Sequence, residues 1–218
     1  MILLKGKNEL RISSEELEEI TRKFERVVLD IGTGDGKQIY RNAKNDRSTL
    51  YIGVDPVKEN MAETASKIIK KPAKGGLDNV LLVVGTIENI PEELKNCADS
   101  VTVVLPWGSL LESVVKPIAA SLQNIVYAAK EGAEFLFIFT YSEICESGEI
   151  QRRNLPEINL EYFGDLYRET LKNVGLRVQN VEILNNDDIK GFASLWAKRL
   201  GYGRKRDFFK ITGVVERQ

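Results

Sequence analysis

The feature that most constrains the fold is a short apolar run that ends in a glycine-rich turn and leads into a helix. The run is 26–31 (RVVLDI), the turn is 30–36 (DIGTGDG), and helical spacing continues over 36–44. A strand–turn–helix unit of this kind is typical of an open α/β sheet. Apolar runs and segments of helical spacing continue to alternate along the chain. It predicts strands at 50–54, 80–84, 100–105, 133–139, 177–184 and 208–215, and helices at 59–70, 110–130 and 162–173.

The alternation predicts a Rossmann-like, seven-stranded and mostly parallel sheet. The last strand is expected to be antiparallel, because a helix-poor segment precedes it. Residues 1–24 add a predicted β-hairpin at 3–12 and a helix that begins at a Ser13/Ser14 cap. Long connections inside a compact domain are usually functional. We therefore expect one domain over 1–218, with inserted substrate-recognition loops at 141–159 and 185–207.

The absence of histidine limits the chemistry. None occurs among the 218 residues, which excludes Ser-His-Asp and Cys-His catalysis, a histidine general base and histidine-ligated zinc. Cys97 and Cys145 lack metal-like spacing and are expected to be free thiols in a reducing cytoplasm. No segment has the form of a signal peptide or the length of a membrane span. We therefore expect no metal site, and any catalysis must come from a cofactor, carboxylates or positioning.

Positive charge is concentrated in two segments, 65–77 and 192–206, neither of which contains an acid. Because the net charge is −1, the rest of the chain is acidic. Such segregation is typical of a local surface for a polyanion, although ordinary solvation explains the first segment alone equally well. The basic residues are Lys67, Lys70, Lys71 and Lys74 in the first segment, and Lys198, Arg199, Arg204, Lys205 and Arg206 in the second.

The glycine turn is the expected cofactor site, because ligands of open parallel sheets bind at the carboxyl ends of central strands. Dinucleotide enzymes need Gly-x-Gly-x-x-Gly next to a pyrophosphate, whereas Gly32, Gly34 and Gly36 are spaced Gly-x-Gly-x-Gly. The carboxylates of Asp30 and Asp35 would repel a pyrophosphate but suit the cationic sulfonium and ammonium groups of S-adenosylmethionine. The turn therefore favours this methyl donor.

Acidic residues after the next two strands fit the same cofactor. Asp55 ends the second strand, where a carboxylate can accept hydrogen bonds from ribose hydroxyls. Glu88 follows the third strand and is a candidate partner of the adenine amino group, or else a solvated loop acid. We predict a class I S-adenosylmethionine-dependent methyltransferase fold. The remaining residues assigned to the cofactor site are Pro56, Thr86, Leu105, Pro106, Ser109 and Ser194.

The segment after the fourth strand indicates the methyl acceptor. It reads LPWG over 105–108, unlike the Asn/Asp-Pro-Pro-Tyr/Phe segment of many enzymes that methylate exocyclic amino groups. Carbon-5 methylation of pyrimidines is not expected either, because no cysteine is suitably placed. Trp107 suits stacking on a flat acceptor, and the only other tryptophan, Trp196, falls in the second basic segment. Each could singly be a core residue, but together they favour a site for a flipped nucleobase.

Four segments resemble the aminoglycoside-resistance methyltransferases that modify N1 of adenine 1408 in 16S ribosomal RNA. They are 68–77 (IIKKPAKGGL), 106–108 (PWG), 194–199 (SLWAKR) and 203–206 (GRKR), and the resemblance extends over essentially the whole chain. It implies the assembled 30S subunit as substrate and an adenine flipped between Trp107 and Trp196. It also implies resistance to kanamycin- and apramycin-type drugs. We therefore expect a cytoplasmic protein without a membrane partner, acting as a monomer.

The resemblance also implies roles for single residues. Pro106, Ser194 and Glu146 would line the pocket of the target base. No general base is expected, because N1 of adenine already carries a free lone pair and alignment alone can supply ~7–11 kcal/mol of barrier lowering. The residues expected to contact rRNA are Lys67, Lys70, Lys71, Arg153, Arg199, Arg204 and Arg206, and the basic segments add Lys74 and Lys205.

Two other functions stay open from the sequence. A methyltransferase of a small aromatic metabolite would use the same cofactor site without needing the basic segments. A non-catalytic RNA-binding module on the same fold would not bind S-adenosylmethionine. An NAD-dependent oxidoreductase is disfavoured by the glycine spacing and by the lack of a proton donor.

Overall fold

The computed structural model describes residues 1–217, and the strands within that range form one mixed sheet flanked by helices. The strands are β1 (Ile2–Lys5), β2 (Asn8–Arg11), β3 (Arg26–Ile31), β4 (Thr49–Asp55), β5 (Val80–Val84), β6 (Ala98–Val104), β7 (Ala129–Phe139), β8 (Leu176–Leu184) and β9 (Phe208–Val215). The helices are α1 (Ser14–Thr21), α2 (Lys37–Asn45), α3 (Lys58–Ile68), α4 (Gly108–Val115), α5 (Ala119–Ala128), α6 (Glu143–Arg153), α7 (Asp165–Asn173), α8 (Asn186–Lys190) and α9 (Leu195–Gly201).

The strand order is β2-β1-β5-β4-β3-β6-β7-β9-β8. Strands β3 to β7 pair in parallel, and β9 lies antiparallel between β7 and β8, as predicted for the last strand. The predicted seven strands correspond to β3–β9. The sheet is nonetheless larger than predicted, because β1 of the hairpin pairs antiparallel with β5 and adds two strands to that edge. Within residues 1–217, no helix is long and apolar enough to cross a membrane.

Three predicted segments need correction. The helix predicted at 110–130 is two helices, α4 and α5, because Pro117 between them has no backbone N–H to donate. The predicted loop 141–159 contains α6, and the predicted loop 185–207 contains α8 and α9. Local caps start the last two helices: Asn185 forms a capping box, and the Ser194 hydroxyl accepts from the Ala197 N–H at 3.0 Å.

The central strands are buried on both faces. Every residue of β4 is buried, and its alternate side chains enter two different hydrophobic clusters. Leu50 and Ile52 join the larger cluster, whereas Tyr51 packs in the smaller one with Ile39 of α2. Helices therefore cover both faces, and α2 is held against the sheet directly after the glycine turn.

Asn79 attaches the end of α2 to the sheet. It is fully buried, and its Nδ2 lies 3.0, 2.9 and 3.0 Å from the carbonyl oxygens of Ala43, Asp46 and Thr49. The first two carbonyls belong to the C-terminal end of α2, and the third begins β4. The side-chain amide of Asn79 therefore fixes the C-terminal end of α2, the helix whose N-terminal end follows the glycine turn.

We expect Asn79→Ala to lower the free energy of unfolding by about 2–4 kcal/mol, because it leaves buried carbonyls without a donor. Urea denaturation measures this change. Asn89→Ala is the matched control, since Asn89 is exposed and its replacement should stay within about 0.5 kcal/mol of the parent protein. Equal effects of the two substitutions would contradict the role given to Asn79.

Candidate active site

The glycine turn lies at the carboxyl ends of β3 and β4, where the sequence places the cofactor. Gly32, Gly34 and Gly36 have φ of +76°, +58° and +67°, in the left-handed region that glycine adopts without strain. The Gly32 N–H donates to the Val54 carbonyl at 2.8 Å. A Cβ on Gly32 would lie 2.4 Å from Cδ2 of Leu110. The turn thus needs glycine at position 32 for its conformation and for space.

Asp55 holds the turn from the neighbouring strand. Its Oδ2 accepts from the Gly34 N–H at 2.9 Å, and its Oδ1 accepts from the Val57 N–H at 2.9 Å. Burial raises the pKa of the Asp55 carboxyl, while these two hydrogen bonds act in the opposite direction. The carboxylate is therefore fixed in orientation at the edge of the cavity, where a ribose was predicted.

Asp30 lies beneath the turn at the end of β3. It is buried, and its Oδ1 accepts from the Thr102 hydroxyl at 2.5 Å. Burial is the main cause that raises the pKa of Asp30 to about 6, and the negative charge of Asp55 adds to it. The ionised form is costly without a counter-charge, so a bound cation close to Asp30 would stabilise it.

The turn borders a cavity of about 910 Å³ between the strand ends, the start of α4 and the segment around α9. Its walls include the apolar side chains of Ile31, Ile87 and Leu110. In the described chain the lining contains several acids but one basic residue, Arg199. All predicted cofactor residues except Gly36 line it, namely Asp30, Gly32, Gly34, Asp35, Asp55, Pro56, Thr86, Glu88, Leu105, Pro106, Ser109 and Ser194.

Glu88 also lines this cavity. Partial burial acts to raise the pKa of its carboxyl, but hydrogen bonds with Ser109 and Thr86 outweigh burial and hold the pKa below its usual value. Glu88 is therefore ionised at neutral pH and able to accept hydrogen bonds from a ligand.

The two tryptophans meet at the cavity. Leu105 has a φ of +52°, which is rare for a residue with a side chain and turns the chain after β6. Trp107 follows at the start of α4 and is 45% exposed. Its ring contacts that of Trp196 edge-to-face, with centroids 5.8 Å apart and planes at 70°. The Arg199 guanidinium lies 5.5 Å from the centroid of Trp196. The structure thus brings together the two indoles that the sequence assigns to the target base.

Most of the predicted RNA-binding residues are exposed. Lys67 lies in the last turn of α3, with its Nζ 4.3 Å from the ring centroid of Tyr40, and a 3-10 turn (Pro72–Lys74) continues the basic segment. The Tyr40 hydroxyl donates to the Gly75 carbonyl at 2.8 Å, so α2 also supports this segment. The exposed basic residues are Lys67, Lys70, Lys71, Lys74, Arg199, Arg204 and Lys205.

Glu146 and Arg206 differ from the prediction, because they bind each other. Their carboxylate and guanidinium are 2.9 Å apart, with 8% and 10% of the side chains exposed. Glu146 is not part of the cavity lining, although it was predicted in the target-base pocket. A buried charge needs a partner of opposite sign, and this pair joins α6 to the segment before β9.

Arg153 is also paired within the protein rather than free. Its Nη1 lies 2.9 Å from Glu112 and its Nε lies 2.5 Å from Glu149, and 22% of its side chain is exposed. These carboxylates raise the pKa of the guanidinium, and the hydrogen bond that Arg153 donates to Glu149 is the main cause. A phosphate would have to compete with two carboxylates for this arginine.

Several residues of the cavity were not predicted, among them Gln38, Asn60, Phe192 and Leu195. Gln38 is the second residue of α2, so its place near the turn follows from the start of the helix there. Phe192 and Leu195 belong to a segment whose fold depends on contacts distant in sequence, and no local signal marks them.

The chain matches the family model NpmA, 16S rRNA (adenine(1408)-N(1))-methyltransferase, over residues 2–215. It belongs to this family of adenine-1408 methyltransferases. It is 49% identical over 218 residues to a 16S rRNA (adenine(1408)-N(1))-methyltransferase of Escherichia coli, with 100% of both chains covered. The resemblance found in the sequence is thereby confirmed.

Solved structures support the same assignment for this adenine-1408 methyltransferase. A mutant 16S rRNA (adenine(1408)-N(1))-methyltransferase with cosubstrate SAM from Catenulisporales acidiphilia has a TM-score of 0.91 and 33% identity, covering 100% of this chain and 97% of the other. The aminoglycoside resistance methyltransferase NpmB1 has a TM-score of 0.84 and 31% identity, covering 99% and 100%. The class of enzyme is therefore shown by sequence and by fold.

The raised pKa of Asp30 predicts a pH-dependent stability. The native state binds the Asp30 proton more tightly than the unfolded state, so ionisation destabilises the fold as the pH rises from 3.8 to about 6. Asp30→Asn should therefore raise the free energy of unfolding at pH 8 by about 1–3 kcal/mol, and the gain should vanish near pH 4.

Denaturant unfolding of the ligand-free methyltransferase at several pH values measures this difference. Asp78→Asn serves as control, because the Asp78 side chain is 82% exposed in a surface ion pair and should change stability by less than about 1 kcal/mol. If the free energies of unfolding of Asp30→Asn and of the parent protein differ by the same amount at every pH, the raised pKa of Asp30 is contradicted.

Proposed function

We propose that this chain methylates N1 of adenine 1408 in the 16S rRNA of the assembled 30S subunit and thereby confers aminoglycoside resistance. The donor would be S-adenosyl-L-methionine and the product S-adenosyl-L-homocysteine. The observation that carries the proposal is the contact of Trp107 with Trp196 beside an acidic cavity, in a member of the adenine-1408 methyltransferase family. A ribosomal substrate would place the protein in the cytoplasm.

The charges of the cavity fit a cationic cofactor. Asp30 and Asp55 end adjacent strands, and the glycine turn itself contains no basic residue. When bound, S-adenosylmethionine supplies an electrophilic methyl group on a positively charged sulfur. Asp30 would lie beneath its charged end, Asp55 would accept from the ribose hydroxyls, and Glu88 from the adenine amino group. A volume of about 910 Å³ is in the range of small-molecule pockets.

The two indoles would hold the target base. A base lying flat between them requires ring centroids about 7 Å apart, which is twice an aromatic contact distance. The present separation of 5.8 Å at 70° is too short and not parallel, so the rings of Trp107 and Trp196 would separate and rotate on binding. Two stacks at ~1–3 kcal/mol each would exceed the lost edge-to-face contact and offset the few kcal/mol needed to unstack the base.

Catalysis would rest on alignment. The unprotonated N1 has a lone pair, so no side chain needs to remove a proton before it attacks the methyl carbon. Trp107 and Trp196 would fix the plane of the base, while Pro106 and Ser194 would bound its edge. The methylated base is positively charged, and the faces of both indoles would stabilise that charge through cation–π attraction.

The exposed basic residues would bind rRNA phosphates and set the register of the enzyme on the subunit. Phosphate contacts give affinity without reading sequence, so the selected adenine would be defined by ribosome shape. Arg153 and Arg206 would contribute after exchanging a carboxylate for a phosphate, or by ordering the segments they connect. We further propose that the protein acts as a single-domain monomer, because the docking surface would occupy a large part of one face.

The two alternative functions make different predictions. A methyltransferase of a small aromatic metabolite would be insensitive to the loss of the lysines, and a non-catalytic module would bind no S-adenosylmethionine in calorimetry. The family assignment favours neither. Primer extension on methylated 30S subunits decides between them, because N1 methylation blocks base pairing and stops the polymerase next to the modified adenine.

Trp107→Ala and Trp196→Ala should each abolish the primer-extension stop, since one stack is lost with each, while binding of S-adenosylhomocysteine in calorimetry persists. Tyr127→Ala is the matched aromatic control. Tyr127 lies beside the start of β6, whereas the cavity lies at the carboxyl ends of the parallel strands. The Tyr127 carbonyl accepts from the Asn96 N–H. Normal methylation by either tryptophan variant would refute the stacking role.

The double substitution of Lys70 and Lys71 by alanine should weaken 30S binding and flatten its dependence on salt. Each lost phosphate contact reduces the slope of log K against log salt by about 1, so we expect a reduction of about 2. Filter binding over a range of salt concentrations measures it. Lys95 lies beside Tyr127, away from the cavity, so Lys95→Ala should leave the slope unchanged. An unchanged slope for the double variant would remove this segment from the RNA interface.

A further inference from the structure

The segment that carries Trp196 is attached to the helix that follows the glycine turn. Asp35 of the glycine turn and Gln38 and Arg41 of α2 are spaced three residues apart, and they bind the backbone of residues 195, 193 and 191 respectively. The Leu195 N–H donates to Asp35 Oδ2 at 3.2 Å, the Ala193 N–H donates to Gln38 Oε1 at 2.6 Å, and the Arg41 guanidinium donates to the Gly191 carbonyl.

We propose that Gln38 and Arg41 are positioning residues that hold Trp196 over the cofactor cavity. We call their contacts with residues 191–195 the α2 latch. The inference rests on the proposed function, in which Trp196 stacks on the target base. It adds two residues, neither of which touches the base or the transferred methyl group, that determine where this indole lies.

The other supports of Trp196 are apolar and aromatic contacts, because its ring contacts Trp107 and packs, partly buried, against the hydrophobic cluster beneath α9. Ala197 and Leu200 pack with Ile189 and Phe208 in a small hydrophobic cluster, which anchors the buried side of the helix. With seven residues, α9 is too short to be stable by itself. The chain just before it has no strand pairing. The α2 latch is therefore the polar support at the end of α9 where Trp196 is located.

Gln38 is oriented for this role from two directions. Its Nε2 donates to Asn42 Oδ1 at 3.0 Å, and Nη2 of Arg41 donates to its Oε1 at 3.2 Å. Both contacts require Oε1 to be the acceptor that faces the Ala193 N–H. Glutamate at position 38 would preserve an acceptor at this place, whereas methionine would keep the length of the side chain but provide no comparable acceptor.

The α2 latch also connects the proposed methyl-donor site with the proposed site of the target base. Asp35 belongs to the glycine turn and lines the cavity, yet its carboxylate accepts from the backbone of α9. Gln38 and Arg41 continue the same contact along the first turns of α2. The cofactor-binding turn and the base-stacking segment therefore move as one unit while the latch is formed.

Fluorescence tests the latch in the ligand-free protein. In a Trp107→Phe background, Trp196 is the sole tryptophan, and its quenching by acrylamide reports its exposure. Loss of one hydrogen bond should shift the open-to-closed ratio of the segment roughly fivefold, so Gln38→Met should increase the quenching constant and Gln38→Glu should recover most of the parent value. Gln123→Met, the same replacement at an exposed position of α5, should have no effect.

Activity on 30S subunits completes the test in the protein with both tryptophans. Gln38→Met should lower kcat by up to about fivefold, the limit set by the shifted ratio, with an unchanged KM for the subunit. The affinity for S-adenosylhomocysteine should fall less than kcat, although Gln38 also lines the cavity. Unchanged quenching, or a cofactor affinity that falls as much as kcat, would overturn the proposal. A parent protein that produces no stop at adenine 1408 would refute the proposed function instead, and the quenching result would still decide the latch.

Discussion

The parallel pairing of β3 with β4 and β6 is the constraint on which the site depends. Asp30 lies opposite Thr102 of β6, whose hydroxyl binds its carboxylate, and Ile31 lies opposite Val54 of β4. The same register brings the Gly32 N–H to the Val54 carbonyl and so closes the glycine turn. A slip of one residue would reverse the faces of the strand and separate Asp30 from its partner. The geometry of the glycine turn is thus a property of the sheet.

Local sequence patterns were sufficient for the elements that form the cofactor site, and insufficient for those that complete the acceptor site. Glycine spacing and the acids at strand ends located Asp30 and Asp55, because a strand followed by a helix fixes the turn between them. The break at Pro117 was visible in the sequence but was hidden by the apolar spacing on both sides. The bond between Gln38 and Ala193 joins residues 155 positions apart, and no local pattern encodes such a contact.

The buried carboxylates and the absence of histidine both fit the proposed methyl transfer. A reaction that needs no proton transfer needs no group that titrates near neutral pH, and the chain contains no histidine. Such a reaction would instead require a negative electrostatic potential that stabilises a bound cation. Burial of the carboxylates makes this potential strong, because water screens buried charges weakly. The raised pKa of Asp30 shows the accompanying cost to the ligand-free fold. Binding of a cation would return part of that free energy as affinity.

The indole pair is the centre of the proposed acceptor site. Trp107 starts a helix that follows a central strand, whereas Trp196 lies on a short helix held by a small cluster and by side chains of α2. The ring of Trp107 is 45% exposed, whereas that of Trp196 packs partly buried against the small cluster, and separation of the pair would require movement of at least one of them. A base entering between the rings would replace the mutual contact that now covers both of them. Stacking specificity would consequently depend as much on how α9 is held as on the two tryptophans themselves.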